Sequence, residues 1–286
     1  MAGFVFVGPG RVGTGLALAL SAAGYQVGGA VSRPNQSVTR SSNRFTELTH
    51  LPALQWMDAR SLIEQADVVF LTVPDQAVTP VAQTLVDDGW LHRGQIVAHT
   101  SGAHSSALLQ CVESVGAQKL SLHPLQTIAD PAKAPLLFTG ATFTAEGDED
   151  AVTKAFEWVR ALGGIPVRLR AEDKAKYHAA AVLASNAVLA LMGVVDELAG
   201  LPNGWAAFLP LVEGALNNLR TLGPKEALTG PIERGDIVTV QKHLDVLRDN
   251  PTALLVYVAL GRATVSLAAQ KGSLSGAQRD ALERLL

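Results

Sequence analysis

The chain opens on an apolar run, Phe4-Val5-Phe6-Val7, that passes straight into Gly8-Pro9-Gly10-Arg11-Val12-Gly13 and then into an alanine- and leucine-rich stretch. Glycines disfavour both strand and helix interiors, so three of them between an apolar strand pattern and a helical pattern specify a tight corner. In the order strand, glycine turn, helix, such a corner suits a diphosphate. Gly8 permits the sharp turn, Gly10 lets the backbone approach a pyrophosphate, and Gly13 lets the helix lie close to the strand. The helix N-terminus adds unpaired N–H groups, so Pro9, Arg11 and Val12 join the glycines as candidate cofactor contacts.

The alternation continues beyond the corner. A helix over about Val12 to Ala23 is closed by Gly24, and Tyr25 to Val31 reads as a second strand followed by a loop over Ser32–Ser37. A short strand near Leu54–Trp56, a helix opened by Asp58 and the buried-type run Asp67–Val73 come next, with further strands expected near 95–98, 119–122, 141–144 and 165–167 and a helix over about 148–162. Short strands alternating with helices predict a doubly wound, mainly parallel sheet covered on both faces. Past Ala171 the strand signals stop, and helices are expected over about 172–199, 204–221, 232–248, 252–271 and 275–286. The expected organisation is an α/β domain over residues 1–170 and an all-helical domain over 171–286.

With 286 residues, 48% hydrophobic and 17% charged, the chain has ample core for two domains. A net charge of −3 and the lack of a basic cluster with interleaved aromatics argue against nucleic acid or an anionic membrane as partner. The single cysteine, Cys111, cannot form an internal disulfide, and no His/Cys cluster has zinc-site spacing, so no metal is expected and a reducing cytoplasm fits. The start Met-Ala-Gly-Phe-Val has no basic n-region and reads as part of a strand rather than a signal peptide. The uncharged run Ala179 to Val195 is at the lower limit for a membrane span and holds Ser185 and Asn186 at its middle, which favours a long buried helix in a soluble domain.

At the end of the second strand, where an acidic residue would hold the 2′-hydroxyl of NAD, the chain has Ser32-Arg33. A hydroxyl and a guanidinium suit a 2′-phosphate, so NADP is expected ahead of NAD. Val73-Pro74 and Thr100-Ser101 occupy later strand ends, where they are candidates to pack against a ring or hydrogen-bond ribose or amide. They also fit plain strand-to-helix turns with N-caps.

Hydride transfer requires a proton donor or acceptor beside the reacting carbon and groups that orient the substrate. His123, before Pro124 at the end of a predicted strand, is the first candidate. Lys174, His178, Ser185 and Asn186 form a second group, read as one polar stripe of a long helix facing a cleft. Arg234, in Gly230-Pro231-Ile232-Glu233-Arg234-Gly235-Asp236, could bind an acidic group or pair with Asp236. His99 and His104 are weaker candidates, read as loop residues.

The Gly8–Gly13 turn, His99-Thr100-Ser101-Gly102, Leu122-His123-Pro124-Leu125, the Lys174-to-Asn186 helix and the Gly230–Asp236 turn together resemble the Rossmann-like family with a C-terminal DUF2520 domain, whose members are labelled NADP-dependent oxidoreductases. That family is similar to the 6-phosphogluconate and 3-hydroxyisobutyrate dehydrogenases, pyrroline-5-carboxylate reductase, ketopantoate reductase and prephenate dehydrogenase. Hydroxyisobutyrate-type enzymes carry an Asn four positions after the catalytic Lys; here Lys174 is followed at that spacing by His178. His123-Pro124 resembles the His-Pro turn of prephenate dehydrogenases. The resemblance implies a homodimer formed through the helical domain.

The expected function is that of a cytoplasmic NADP-dependent oxidoreductase acting on a small polar, carboxylate-bearing molecule between the domains. His123 or Lys174 would relay the proton, His178, Ser185 and Asn186 would orient the substrate, and Arg234 would bind its acid group. A non-catalytic NADP(H) or metabolite sensor and an NAD-linked prephenate-like dehydrogenase are the alternatives.

Overall fold

Phe4 to Val7 are apolar without interruption because both faces of their strand are covered. In the computed structural model, which describes residues 3–34 and 39–286, Phe4 and Phe6 enter one apolar cluster with Leu16, Leu20 and Phe70, while Val5 and Val7 enter another with Val69, Leu71 and Leu85. Successive side chains of a strand point to opposite faces, so one four-residue run serves two cores. Phe4 packs edge-on to Trp158 at 5.1 Å between ring centroids, and Phe6 stacks on Phe70 at 5.4 Å.

The strands are β1 (Gly3–Val7), β2 (Gln26–Val31), β3 (Ala53–Leu54), β4 (Val68–Leu71), β5 (Ile96–His99), β6 (Gln118–Pro124), β7 (Thr142–Gly147) and β8 (Ile165–Arg168). They form one eight-stranded sheet in the order β3-β2-β1-β4-β5-β6-β7-β8. The pairings from β3 through β6 are parallel, β7 runs antiparallel to β6, and β8 is parallel to β7. The chain moves outward from β1 first to one side and then to the other, which places the switch of direction, and hence a ligand crevice, at the carboxyl ends of β1 and β4. Helices α1 (Arg11–Ala22), α2 (Arg40–Thr49), α3 (Arg60–Glu64), α4 (Asp75–Asp87), α5 (Ala134–Phe138) and α6 (Glu149–Ala161) connect the strands. Asn35, Gln36 and Ser37 of the expected loop, and Met1 and Ala2, lie outside the described residues.

The chain divides into compact units over residues 1–183 and 184–286, so the boundary expected at 170 moves to the end of α7 (Lys174–Ala184). The reason is Lys174, whose ammonium is buried against the ends of β5 and β6 and binds α7 to the first unit.

The second unit is all-helical: α8 (Asn186–Ala199), α9 (Leu209–Glu226), α10 (Ile237–Leu247), α11 (Pro251–Lys271) and α12 (Gly276–Leu285). Asp236, Asn250 and Ser275 cap α10, α11 and α12 by accepting from Thr239, Ala253 and Gln278 N–H groups. The helix expected from Ile232 therefore begins only after Asp236. A small core forms around Val240, Val265 and Leu282.

Two expectations about the apolar run are overturned. The single helix over 172–199 is broken at Ser185 (φ −128°, ψ −78°), where Ser185 and Asn186 bring side chains that compete with the helical backbone. The run is also not a buried helix, for no residue of α8 is buried. The stretches 171–199 and Pro251–Lys271 have the length and apolar composition of membrane-spanning helices. The break leaves the first as two pieces shorter than the roughly 20 residues a span requires, and the second places Gly261, Val265 and Ala268 in the interior of its own unit.

Candidate active site and cofactor corner

Two of the three corner glycines are required by the fold itself. Gly8 sits at φ +90°, and a β-carbon there would lie 2.7 Å from Val73 Cγ1 and 3.0 Å from the Thr72 carbonyl oxygen. At Gly13 a β-carbon would run into Thr72 Oγ1 and lie 3.0 Å from the Gly8 carbonyl oxygen. Thr72 Oγ1 donates to that same carbonyl at 2.6 Å, and Gly8 N–H donates to the Val31 carbonyl at 2.8 Å, so the corner is tied to the ends of β4 and β2.

Gly10 is different. Its backbone is ordinary extended chain (φ −78°), and the nearest atom to a β-carbon there would be the Thr72 carbonyl oxygen at 3.9 Å. The fold does not need glycine at this position, and Gly10 lines the adjoining cleft. α1 begins with no capping side chain and no acidic residue in its first turn, which leaves its N–H groups for an anion.

The cleft, of about 310 Å³, is lined by Gly8, Pro9 and Gly10, by Ser32, Arg33, Thr39 and Ser41 after β2, and by Thr72, Val73 and Pro74 after β4. None of these is acidic. The Ser32 hydroxyl lies 3.2 Å from Ser42 Oγ, and Thr39 caps α2 in a reciprocal box with Ser42. Thr39 and Ser41 were not singled out above; the Thr39-x-x-Ser42 spacing was the available signal. Thr100 and Ser101 do not line this cleft. Ser101 is buried, its hydroxyl donating to Asp75 Oδ2 at 2.9 Å and accepting from the His104 N–H at 3.1 Å, so it shapes the turn after β5.

The ends of β5 and β6 and the first turns of α7 gather the titratable groups. His99 is a fully buried strand residue: its Nδ1 accepts from the Ser101 N–H at 3.1 Å and its Nε2 donates to the Ser105 carbonyl at 3.0 Å, which defines a neutral ring. Burial lowers its pKa to about 4. His123 Nδ1 lies 3.0 Å from Tyr177 Oη, and burial, with the Lys174 charge and His178 beside it, lowers His123 to about 4 as well. Lys174, 1% exposed, donates to the Ser101 carbonyl at 3.1 Å and to Ser121 Oγ at 2.6 Å. Burial lowers the Lys174 pKa, opposed by Glu146 and Asp75. Glu146 itself accepts from Ser106 N–H and Oγ at 2.6 and 2.9 Å. His178 stands edge-on to His123, with 5.9 Å between ring centroids, and its Nδ1 is buried without a hydrogen-bond partner.

The structure therefore brings together His123, Lys174, His178 and Ser101 of the expected set, and adds Tyr177, Asp75 and Glu146. Tyr177 is one turn beyond Lys174, a position at which sequence spacing alone could have signalled a shared face. The expected single stripe from Lys174 to Asn186 does not exist. Lys174 is buried, α7 ends at Ala184, and Ser185 and Asn186 open the second unit, with Ser185 Oγ 3.1 Å from Asn186 Oδ1. Arg234, also in the second unit, is exposed in the turn before α10, and its neighbour Asp236 serves as the cap of that helix.

Residues 3–124 match the Rossmann-like domain family, and residues 141–264 match DUF2520, a domain of unknown function. No curated protein matches the sequence. The fold is similar to that of a provisionally assigned NADP oxidoreductase from Bacteroides fragilis, at 22% identity and TM-score 0.76 over 92% of this chain and 97% of that one. It is similar to a Thermotoga maritima protein at 24% identity and TM-score 0.71, over 94% and 99% of the two chains. An imine reductase from a Pseudomonas species shares it at 20% identity and TM-score 0.61, over 99% of each. The chain thus joins a Rossmann-like domain to a domain of the DUF2520 family, with a fold similar to that of these three solved structures.

Proposed function

We propose that the protein is a cytoplasmic NADP-dependent oxidoreductase acting on a small polar, carboxylate-bearing molecule, with His123 beside the reacting atoms. The observation that carries this reading is Gly10, a glycine the backbone does not need, in the lining of a cleft beside the uncapped start of α1. The α1 N-terminus and the Gly8–Gly10 turn would hold the diphosphate. Arg33, Thr39 and Ser41 would meet the 2′-phosphate in a wall without carboxylates, and Val73 and Pro74 offer an apolar surface. When bound, NADP supplies the carbon that gives or takes hydride.

The test is a fluorescence titration with NADPH and NADH, followed by NADPH oxidation with a panel of keto acids, imines and aldehydes. A charge-assisted contact of about 1.5–3 kcal/mol corresponds to roughly a 10- to 100-fold preference for NADPH, removed in Arg33→Asp. No affinity for either coenzyme defeats the proposal. Binding with no turnover across the panel favours a sensor instead.

The second unit supports a homodimer. No residue of α8 or α9 is buried, and Leu189, Leu211 and Leu255 are 72%, 71% and 72% exposed. Helices this rich in exposed apolar side chains fit a contact between chains, and a second copy of the same helices is the simplest cover. Sedimentation equilibrium should give twice the 30.0 kDa chain mass, and Leu189→Glu with Leu211→Glu should give monomer; a monomeric wild type overturns this.

A further inference from the structure

Resting on the NADP-dependent oxidoreductase reading, we infer that Asp75 is a coenzyme contact. Its carboxylate accepts from the hydroxyls of the ribose that carries the nicotinamide.

The order of the strands says where that ribose falls. A dinucleotide has one ribose on each side of its diphosphate, and ligands of an open parallel sheet lie across the carboxyl ends of the strands. The diphosphate corner follows β1, whose two neighbours in the sheet are β2 and β4. With the phosphorylated ribose at Arg33, Thr39 and Ser41 after β2, the other ribose falls after β4. The cleft wall there is Thr72-Val73-Pro74, and Asp75 is the next residue in the chain. The two riboses ask for opposite chemistry. A 2′-phosphate is repelled by a carboxylate and drawn to a guanidinium, whereas a bare diol suits a carboxylate, which accepts from hydroxyls and donates nothing. In sequence, Asp75 is the one acidic residue within two positions of any residue that lines the cleft.

The carboxylate is set for a donor from outside the chain. Ser101 Oγ donates to Asp75 Oδ2 at 2.9 Å, and His104 Nε2 lies 3.7 Å from the same oxygen. Both protein partners stand at Oδ2, and among the described residues none donates to Oδ1. Ser101 is itself buried and accepts from the His104 N–H at 3.1 Å, so one end of the carboxylate is fixed. The Asp75 side chain is nonetheless 47% exposed. A carboxylate that only tied the turn after β5 to α4 would have no need of an open oxygen. Its charge is also supported, because α4 starts at Asp75 without a side-chain cap and a negative group in the first turn is stabilised by the N–H groups there.

The test is isothermal titration calorimetry of the full-length protein with 2′-phospho-ADP-ribose and with 2′-phospho-ADP, two ligands that differ only in the second ribose. Wild type should bind the first roughly tenfold or more tightly than the second. Asp75→Ala should make the two affinities equal by weakening the first alone. Ser101→Ala, which breaks the same hydrogen bond but keeps the carboxylate, should retain the preference. Equal affinities in the wild type, a preference that survives in Asp75→Ala, or one lost alike in both variants overturns the assignment. The wild-type comparison needs no variant, so it can overturn the assignment even should Asp75→Ala fail to fold. A wild type that binds neither ligand defeats the NADP reading itself, whereas one that binds both equally defeats only the ribose contact.

Discussion

Gly8→Ala should destabilise the protein by about 2–4 kcal/mol, combining left-handed backbone strain with overpacking. Gly10→Ala should leave stability within about 0.5 kcal/mol and weaken NADPH binding roughly tenfold or more. The difference lies in what each β-carbon would meet: Val73 and the Thr72 backbone at clashing distance at position 8, only ordinary contacts of 3.9 Å or more at position 10, which lines the cleft. Urea denaturation measures the first effect and fluorescence titration the second. A wild-type midpoint for Gly8→Ala, or undiminished affinity for Gly10→Ala, would show that the corner is misread.

The second large effect is acid lability. His99 is fully buried and neutral, with a folded pKa of about 4 against an ordinary 6.5. Between these values the unfolded chain binds the proton and the folded one does not, so stability rises with pH. The contribution is fully present above pH 6.5, is lost progressively as pH falls, and is gone below about 4. At about 1.4 kcal/mol per pKa unit, His99 alone contributes on the order of 3 kcal/mol. His123 adds in the same direction, to a smaller extent because it is partly exposed. Urea midpoints measured from neutral pH down to about pH 4.5 should fall steeply, and His99→Gln should flatten the slope. A stability that stays level over this range contradicts the neutral, buried assignment.

The sheet and the corner were legible because their signals are local. Apolar runs such as Val68–Leu71 and the glycine spacing of residues 8–13 state strand and turn within a few residues. His123 and Lys174 could be chosen as candidates for the same reason, as polar groups at a strand end and a helix start. What could not be read was their pairing. That Lys174 reaches Ser121 and Ser101, and Tyr177 reaches His123, depends on contacts between residues more than 50 positions apart. The same contacts carry α7 into the first unit and displace the expected boundary. Burial of the run 179–195 was misjudged because hydrophobicity records a need for cover without saying whether the cover comes from the same chain.

The small interior of the helical unit, centred on Val240, Val265 and Leu282, has a thermodynamic corollary. So few enclosed side chains contribute little to cohesion by themselves, and when association supplies the remainder, folding of these helices becomes coupled to the amount of protein present. Dilution then acts on this half of the molecule much as warming does.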